Sequence, residues 1–476
     1  MKLLKTTLAC LIFTAIFSSQ TYAQNHYSVT IKLDGLNDSL ILMASYIGDK
    51  QFIVDTAYYN KQGTYHFQGD SLLPDGMYTI ANSKKTKLFD FIVSGKENVS
   101  IIGNKENLPL SLKSKENDEN RILFDYINYL ADKQKEQKQL QQLKKQFKAG
   151  SDSIKIVNNK IEMLNEEVDR HIKGIINTNQ GKFISVFLKS MQDPEIPDPP
   201  ILSNGHPDSV FAFHQYRKHF WDNIDLSDDR VVRTPIIHSK VEQYLNKMTA
   251  PAPDSIIVAI DHLFQMVDGN QITFKYLMWY LTVKYESSEI MGHDAVFVHL
   301  VDKYYSDPKM SWMNATVKQN LINRANTLRP ILIGKTAPDL ILLDTLQNPV
   351  SLKAIKSKYT IIYFWDPECS HCKKETPVLK SFYDEASKKY NLQIYAVCMD
   401  TSWKNMKAYI LKNKMNWINV NGYYSMSGDF RELYDVHSSP IMYLLDENKK
   451  IIAKRILTEQ MKEILKKVSE GTLKSK

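Results

Sequence analysis

Long apolar runs are missing from this chain. None reaches the roughly 18–20 consecutive apolar positions that a membrane-spanning helix needs. Charge of one sign is missing too. The 61 Lys and Arg are interleaved with 53 Asp and Glu, so the formal charge of +8 gives no sign of nucleic-acid or membrane-surface binding. Cysteine is scarce, at four in 476 residues. Zinc held by the Cys-x-x-Cys pair at Cys369 and Cys372 would need two more ligands. The only other cysteines are Cys10 and Cys398, and no His pair stands at a suitable spacing. No metal and no cofactor are therefore expected. Hydrophobic residues at 43% and charged residues at 24% are ordinary for a globular protein, which excludes global disorder.

What is present begins with an expected export signal over residues 1–23. Lys2 and Lys5 precede an apolar core from Leu8 to Phe17, and Thr21 and Ala23 occupy the small-residue positions before the cut. Cys10 lies inside that core and is discarded with it. Loss of Lys2 and Lys5 lowers the formal charge from +8 to +6.

The rest of the chain has three textures. Residues 24–110 form a β-rich module. Short β-prone runs start at Tyr27, Leu40, Phe52, Thr64, Met77, Leu88 and Val99, and Asn60 to Gly63 reads as a hairpin loop joining two of them. Seven such runs predict a small antiparallel sandwich or barrel. Residues 111–330 read as α-helical. Leu123, Ile127 and Leu130 share one face, and Val157, Ile161, Leu164, Val168, Ile172 and Ile175 form a stripe at helical spacing. With a break at Ala149 to Ser153, these predict a helical hairpin whose Lys- and Gln-rich stretch, Lys133 to Lys148, projects into solvent. A stiff loop spans Asp193 to Pro200, and further helices run from Ser209 to Asn326 with a break at Ala250 to Pro253. His214 and His219 are five residues apart, about 140° around a helix, so they do not share a face for a metal. His293 and His299 lack an acidic or His partner at i+4 and receive no role.

Residues 333–476 alternate strand runs with helical stretches, the texture of an α/β domain. Here Cys369-Ser370-His371-Cys372 follows the apolar run Thr360 to Trp365 and opens an amphipathic helix. A thiolate at a helix N-terminus is favoured by unpaired N–H groups and the helix dipole, and its pKa can fall to roughly 3.5–7.5. A second thiol one turn on can resolve a mixed disulfide. The pattern points to dithiol–disulfide exchange.

The order strand, Trp-x-x-x-Cys-x-x-Cys, helix, strand, helix, then Ser439-Pro440 before a strand hairpin resembles the thioredoxin fold. The match is closest to the envelope thiol–disulfide oxidoreductases of the TlpA/ResA kind. Gly334 to Asp339 resembles the opening hairpin of that group, and Cys372-Lys373-Lys374-Glu375 resembles its second cysteine with an acidic residue three positions on. The chain is thus expected to be multidomain: an all-β sandwich-like module, an α-helical region and a C-terminal thioredoxin-like domain. The resemblance implies that Cys369 attacks and Cys372 resolves, forming a Cys369–Cys372 disulfide. It further implies that Glu375 carries protons and that Ser439 and the cis-proline Pro440, with Trp365, contact substrate. Protein thiols and disulfides are the implied substrates, with re-reduction by a membrane-bound electron donor in the periplasm or cell envelope.

Two positions depart from the thioredoxin pattern. Tyr363 stands where thioredoxin has a buried aspartate, and Glu368, rather than an aromatic residue, precedes Cys369. The Glu368 charge opposes a thiolate, while His371, if protonated, favours it. Cys398 lies in an apolar strand run and reads as an inert buried thiol. Two other readings compete. A thiol peroxidase would want Pro-x-x-x-Thr/Ser-x-x-Cys, which Pro367-Glu368-Cys369 does not supply. A non-enzymatic envelope binding or scaffold protein could carry the thioredoxin-like part as an accessory.

Overall fold

The computed structural model describes residues 27–95, 98–115, 118–148, 150–267 and 269–472. The expected export signal at residues 1–23, with Cys10, lies outside the described residues. The chain divides into two compact units, up to Val241 and from Glu242 onward.

In the first unit, the strands are β1 (Tyr27–Asp34), β2 (Leu40–Ile47), β3 (Lys50–Tyr58), β4 (Tyr65–Gly69), β5 (Gly76–Asn82), β6 (Lys87–Val93), β7 (Val99–Asn104) and β8 (Lys113–Ser114). They form two four-stranded sheets, β4-β1-β7-β8 and β3-β2-β5-β6. Period-2 patterning puts Ile31, Phe67 and Ile101 of one sheet and Met43, Ile80 and Phe91 of the other into a common core. Each such side chain contributes about 1.5–3 kcal/mol on burial. Two expectations need correction. β1 pairs with β7 in parallel, so the module is not wholly antiparallel. The Asn60 to Gly63 loop makes one bridge, Tyr59 to Tyr65, after which β3 and β4 part into different sheets. The reason is that Tyr65 and Phe67 bury fully on the β1 side.

Helices α1 (Asp118–Lys144), α2 (Asp152–Thr178), α3 (Phe183–Met191) and α4 (Ser209–His219) follow. Ser151 caps α2, its hydroxyl accepting from Ile154 N–H at 3.4 Å. The α1–α2 hairpin packs its base, Leu123, Phe124 and Ile172, into the sandwich core. Asn120 meets the edge strand β6 as a surrogate strand. Its side chain accepts from Ile92 N–H and donates to Ile92 C=O, both at 2.7 Å.

The second unit opens with the last turns of α5 (Ile236–Lys247), then α6 (Pro253–Met266), α7 (Gln271–Glu286), α8 (Asp294–Tyr304) and α9 (Ala315–Leu328). Here His299 does have an acidic partner. Asp261, from α6, accepts from His299 Nε2 at 2.9 Å, Tyr304 OH at 2.6 Å and Lys303 Nζ at 2.9 Å. The contact joins α6 to α8, so residue spacing along one helix does not carry it.

The α/β domain comprises β9 (Ile341–Asp344), β10 (Pro349–Ser351), β11 (Tyr359–Trp365), α10 (Ser370–Tyr390), β12 (Leu392–Cys398), α11 (Trp403–Lys412), β13 (Ile418–Ser425), α12 (Phe430–Tyr434), β14 (Ile441–Leu445), β15 (Ile451–Ile456) and α13 (Thr458–Ser469). Its sheet order is β10-β9-β13-β12-β11-β14-β15. β11, β12 and β13 are parallel, and β14 and β15 continue the sheet antiparallel. β11 is buried along its whole length, which is why it reads as an unbroken apolar run. The opening hairpin is β9–β10. Gly334 to Ala337 instead lies along the start of β15, with Gly334 N–H on Ile451 C=O and Ala337 N–H on Lys449 C=O, both at 2.8 Å.

Candidate active site

β11 ends at Trp365, and the chain turns through Asp366 to Glu368 before α10 begins. Cys369 is the N-cap of α10 with extended backbone, and its sulfur accepts from Cys372 N–H at 3.3 Å. The thiol donates to the Ser439 carbonyl at 3.2 Å. Register explains this approach. Phe364, near the end of β11, pairs with Ile441, and Ile441 directly follows the cis Ser439–Pro440 peptide. The geometry thus brings Cys369, Cys372, Ser439 and Pro440 together. Both cysteines are free thiols in this structure.

The two thiols differ in environment. For Cys369, burial opposes ionisation. The Ser439 side chain, the Cys372 N–H and thiol, and the His371 N–H outweigh it and pull the thiol below its ordinary value. Cys372 is fully buried, and burial pushes it up to about 12 despite Ser439 and Asp366. Cys369, only partly buried, is therefore the more readily ionised of the two thiols and Cys372 the less.

Hydroxyls lie behind Cys372. Tyr363 OH is 2.8 Å from Thr376 Oγ1, and Tyr409 OH reaches Thr376 Oγ1 at 3.0 Å and Cys372 C=O at 3.1 Å. The position that holds aspartate in thioredoxin therefore carries a buried phenol in a chain of neutral hydroxyls. Glu375, in the first turns of α10, turns toward the last helix. Its Oε1 accepts from Thr458 N–H at 2.7 Å and Thr458 Oγ1 at 2.6 Å, satisfying a donor at the start of α13.

Trp365, expected beside substrate, is wholly buried and stacks on Tyr409 with ring centroids 4.8 Å apart. It supports the site from below and touches no solvent. Glu368 is exposed and pairs with Lys373 at 3.4 Å, which draws its charge toward a cation, and His371 is exposed. Cys398 pairs in register with Trp365 and is buried, its thiol pushed up to about 12 by that burial. Among the described residues no group of three or more His, Cys, Asp and Glu is placed to hold a metal ion.

The loop that carries Ser439 is anchored by residues the sequence did not single out. Asp435, in left-handed conformation with φ of 53° and its side chain fully buried, accepts a two-pronged contact from Arg324 of α9. Arg455 of β15 and His437 Nε2, the latter at 3.2 Å, meet the same carboxylate. Burial opposes ionisation of Asp435, but the Arg324 hydrogen bonds and the Arg324 and Arg455 charges prevail and hold its carboxyl below the usual range. Sequence offers only the Asp435-Val436-His437 spelling as a hint, since Arg324 lies 111 residues away.

Comparison with known proteins places these observations. Residues 333–454 match the AhpC/TSA family, and residues 131–326 match a domain of unknown function (DUF5106). A thiol-disulfide oxidoreductase ResA of Bacillus thuringiensis subsp. konkukian is 26% identical over 141 residues, spanning 29% of this chain and 79% of that protein. The sporulation thiol-disulfide oxidoreductase A of Bacillus subtilis is 29% identical over 132 residues, spanning 26% of this chain and 78% of that protein. A solved domain of a possible thiol-disulfide isomerase from Cytophaga hutchinsonii is 35% identical, covering 30% of this chain and 95% of that one, with a TM-score of 0.28.

Proposed function

We propose that this chain, which belongs through residues 333–454 to the thioredoxin-like AhpC/TSA family and is homologous there to the ResA thiol–disulfide oxidoreductases, is an exported reductase of protein disulfides. The observation that carries the reading is the pairing of an accessible N-cap thiol, Cys369, with a buried thiol, Cys372, against the cis Ser439–Pro440 loop.

In the forward reaction the Cys369 thiolate attacks one sulfur of a substrate disulfide. The Cys369–substrate bond forms, the substrate S–S bond breaks, and the departing substrate thiolate takes up a proton. Cys372 then loses its proton and attacks Cys369 Sγ, so the Cys369–Cys372 disulfide forms and the second substrate thiol leaves. Two electrons pass from the dithiol to the substrate. The backbone at Ser439 pairs with an extended substrate segment. Glu375, held at Oε1 by Thr458, accepts and returns protons during exchange. The oxidised pair is re-reduced by a membrane-bound dithiol donor, because an envelope compartment otherwise keeps such pairs oxidised.

A Cys372→Ser variant tests this. It should accumulate mixed disulfides through Cys369 that are released by dithiothreitol and whose partners mass spectrometry identifies. A variant that traps nothing beyond what Cys369→Ser/Cys372→Ser traps removes the enzymatic reading and favours the scaffold alternative.

A further inference from the structure

The far half of the α1–α2 hairpin has a chemistry that whole-chain charge averages conceal. Residues 138–160 contain six lysines (Lys138, Lys144, Lys145, Lys148, Lys155 and Lys160) and a single acidic residue, Asp152. All six lysines are exposed, and only Lys155 has an acidic partner among the described residues, Asp152 at 3.0 Å. The last ion pair that ties the two helices together, Lys133 to Glu167 at 2.7 Å, lies nearer the base. Apolar side chains stand among the lysines: Leu143 is 38% exposed, Phe147 36%, Ile156 59% and, just beyond, Met163 61%. The buried residues of α1 end at Tyr126, while α2 still buries Val157 and Leu164, so the tip keeps a thin inner seam and leaves its other apolar side chains in solvent.

We infer that this tip docks on an anionic lipid surface. A solvated arm has no use for Phe147 and Ile156 at its end, and a nucleic acid would reward the lysines but not the aliphatic groups. An anionic bilayer rewards both. Lysine ammonium groups meet the headgroups while apolar side chains enter the acyl boundary by about 5–10 Å. Near such a surface each lysine is worth about fivefold in partitioning, so the cluster gives binding that is reversible and salt-sensitive. A deformable bilayer also accepts a protruding two-helix tip without a shaped pocket. The inference goes beyond the dithiol chemistry and holds whichever way that chemistry runs.

Sedimentation of the full chain with vesicles tests it. Vesicles of phosphatidylcholine containing about one third phosphatidylglycerol should pull the protein down, and pure phosphatidylcholine should not. The binding should vanish near 1 M salt, where the screening length falls to about 3 Å. Replacing Lys144, Lys145 and Lys148 together by Gln should weaken it about a hundredfold. Phe147→Ser/Ile156→Ser should weaken it as well. Circular dichroism and disulfide exchange in solution should stay unchanged in both variants, which separates lost docking from lost folding. Equal sedimentation with neutral vesicles, none with either, or full binding by the lysine variant overturns the proposal. So does tighter salt-sensitive binding to polyglutamate or RNA than to anionic vesicles.

Discussion

Glu375 and Thr458 lie 83 residues apart and are joined twice, the carboxylate Oε1 accepting from both the backbone N–H and the hydroxyl of Thr458. The two bonds fix the carboxylate between α10 and α13, and both fall on one oxygen.

That relationship makes Glu375→Gln a discriminating substitution. The amide oxygen still accepts from Thr458, so stability should fall by less than about 1 kcal/mol. A carboxamide cannot take up a proton, so the resolving step should slow and its pH dependence should move. Stopped-flow exchange against a model disulfide checks this. An unchanged pH–rate profile leaves Glu375 as a helix-terminal cap alone.

Cys369 should alkylate first. Its thiol sits below the ordinary value while Cys372 is raised to about 12. Burial thus keeps the Cys372 thiol protonated at neutral pH. Iodoacetamide labelling at mildly acidic pH, read by peptide mass, should therefore mark Cys369 almost alone. Preferential labelling of Cys372 reverses their roles.

Thr376 joins two tyrosine hydroxyls, from Tyr363 and Tyr409. Thr376→Val removes the hydrogen bond of the buried Tyr363 phenol, while Tyr409 OH keeps the Cys372 carbonyl, and should cost about 1–3 kcal/mol. Denaturant unfolding measures it. Because Cys369 is not in that chain, its alkylation rate should not change, and a large change there would show that the hydroxyls act on the nucleophile.

Asp435 gives a pH prediction. Its folded-state carboxyl is depressed, so its contribution is present above the unfolded value of about 3.9 and is lost as pH falls through the lower folded value. Asp435→Asn should cost about 2–3 kcal/mol at pH 7, toward the lower end of buried pairs because Arg324 and Arg455 are partly hydrated. The gap between the two proteins should narrow below about pH 4. If Asp435 also positions the Ser439 loop, KM for a protein disulfide should rise more than kcat falls.

Equilibration with glutathione reads the direction of exchange. A reductase should show a potential well below that of the glutathione couple, and a value near about −120 mV would mark an oxidant instead.

Local signals in the chain determined a great deal. Alternation at Val29, Ile31 and Leu33 wrote a half-buried strand, the unbroken apolar run into Trp365 wrote a central one, and Cys369 and Cys372 at the turn into α10 wrote the candidate dithiol pair. These features are legible because strand and helix periods and a helix N-terminus are set by neighbours a few residues away. Tertiary structure alone decided the rest. It sent β3 and β4 into different sheets after a hairpin-like turn, turned Glu375 to Thr458, buried Trp365 under Tyr409 and set Arg324 on Asp435. Each of these contacts joins residues far apart in the chain. No periodicity carries them, because they are chosen by which buried donor, acceptor or ring finds its partner when whole elements pack.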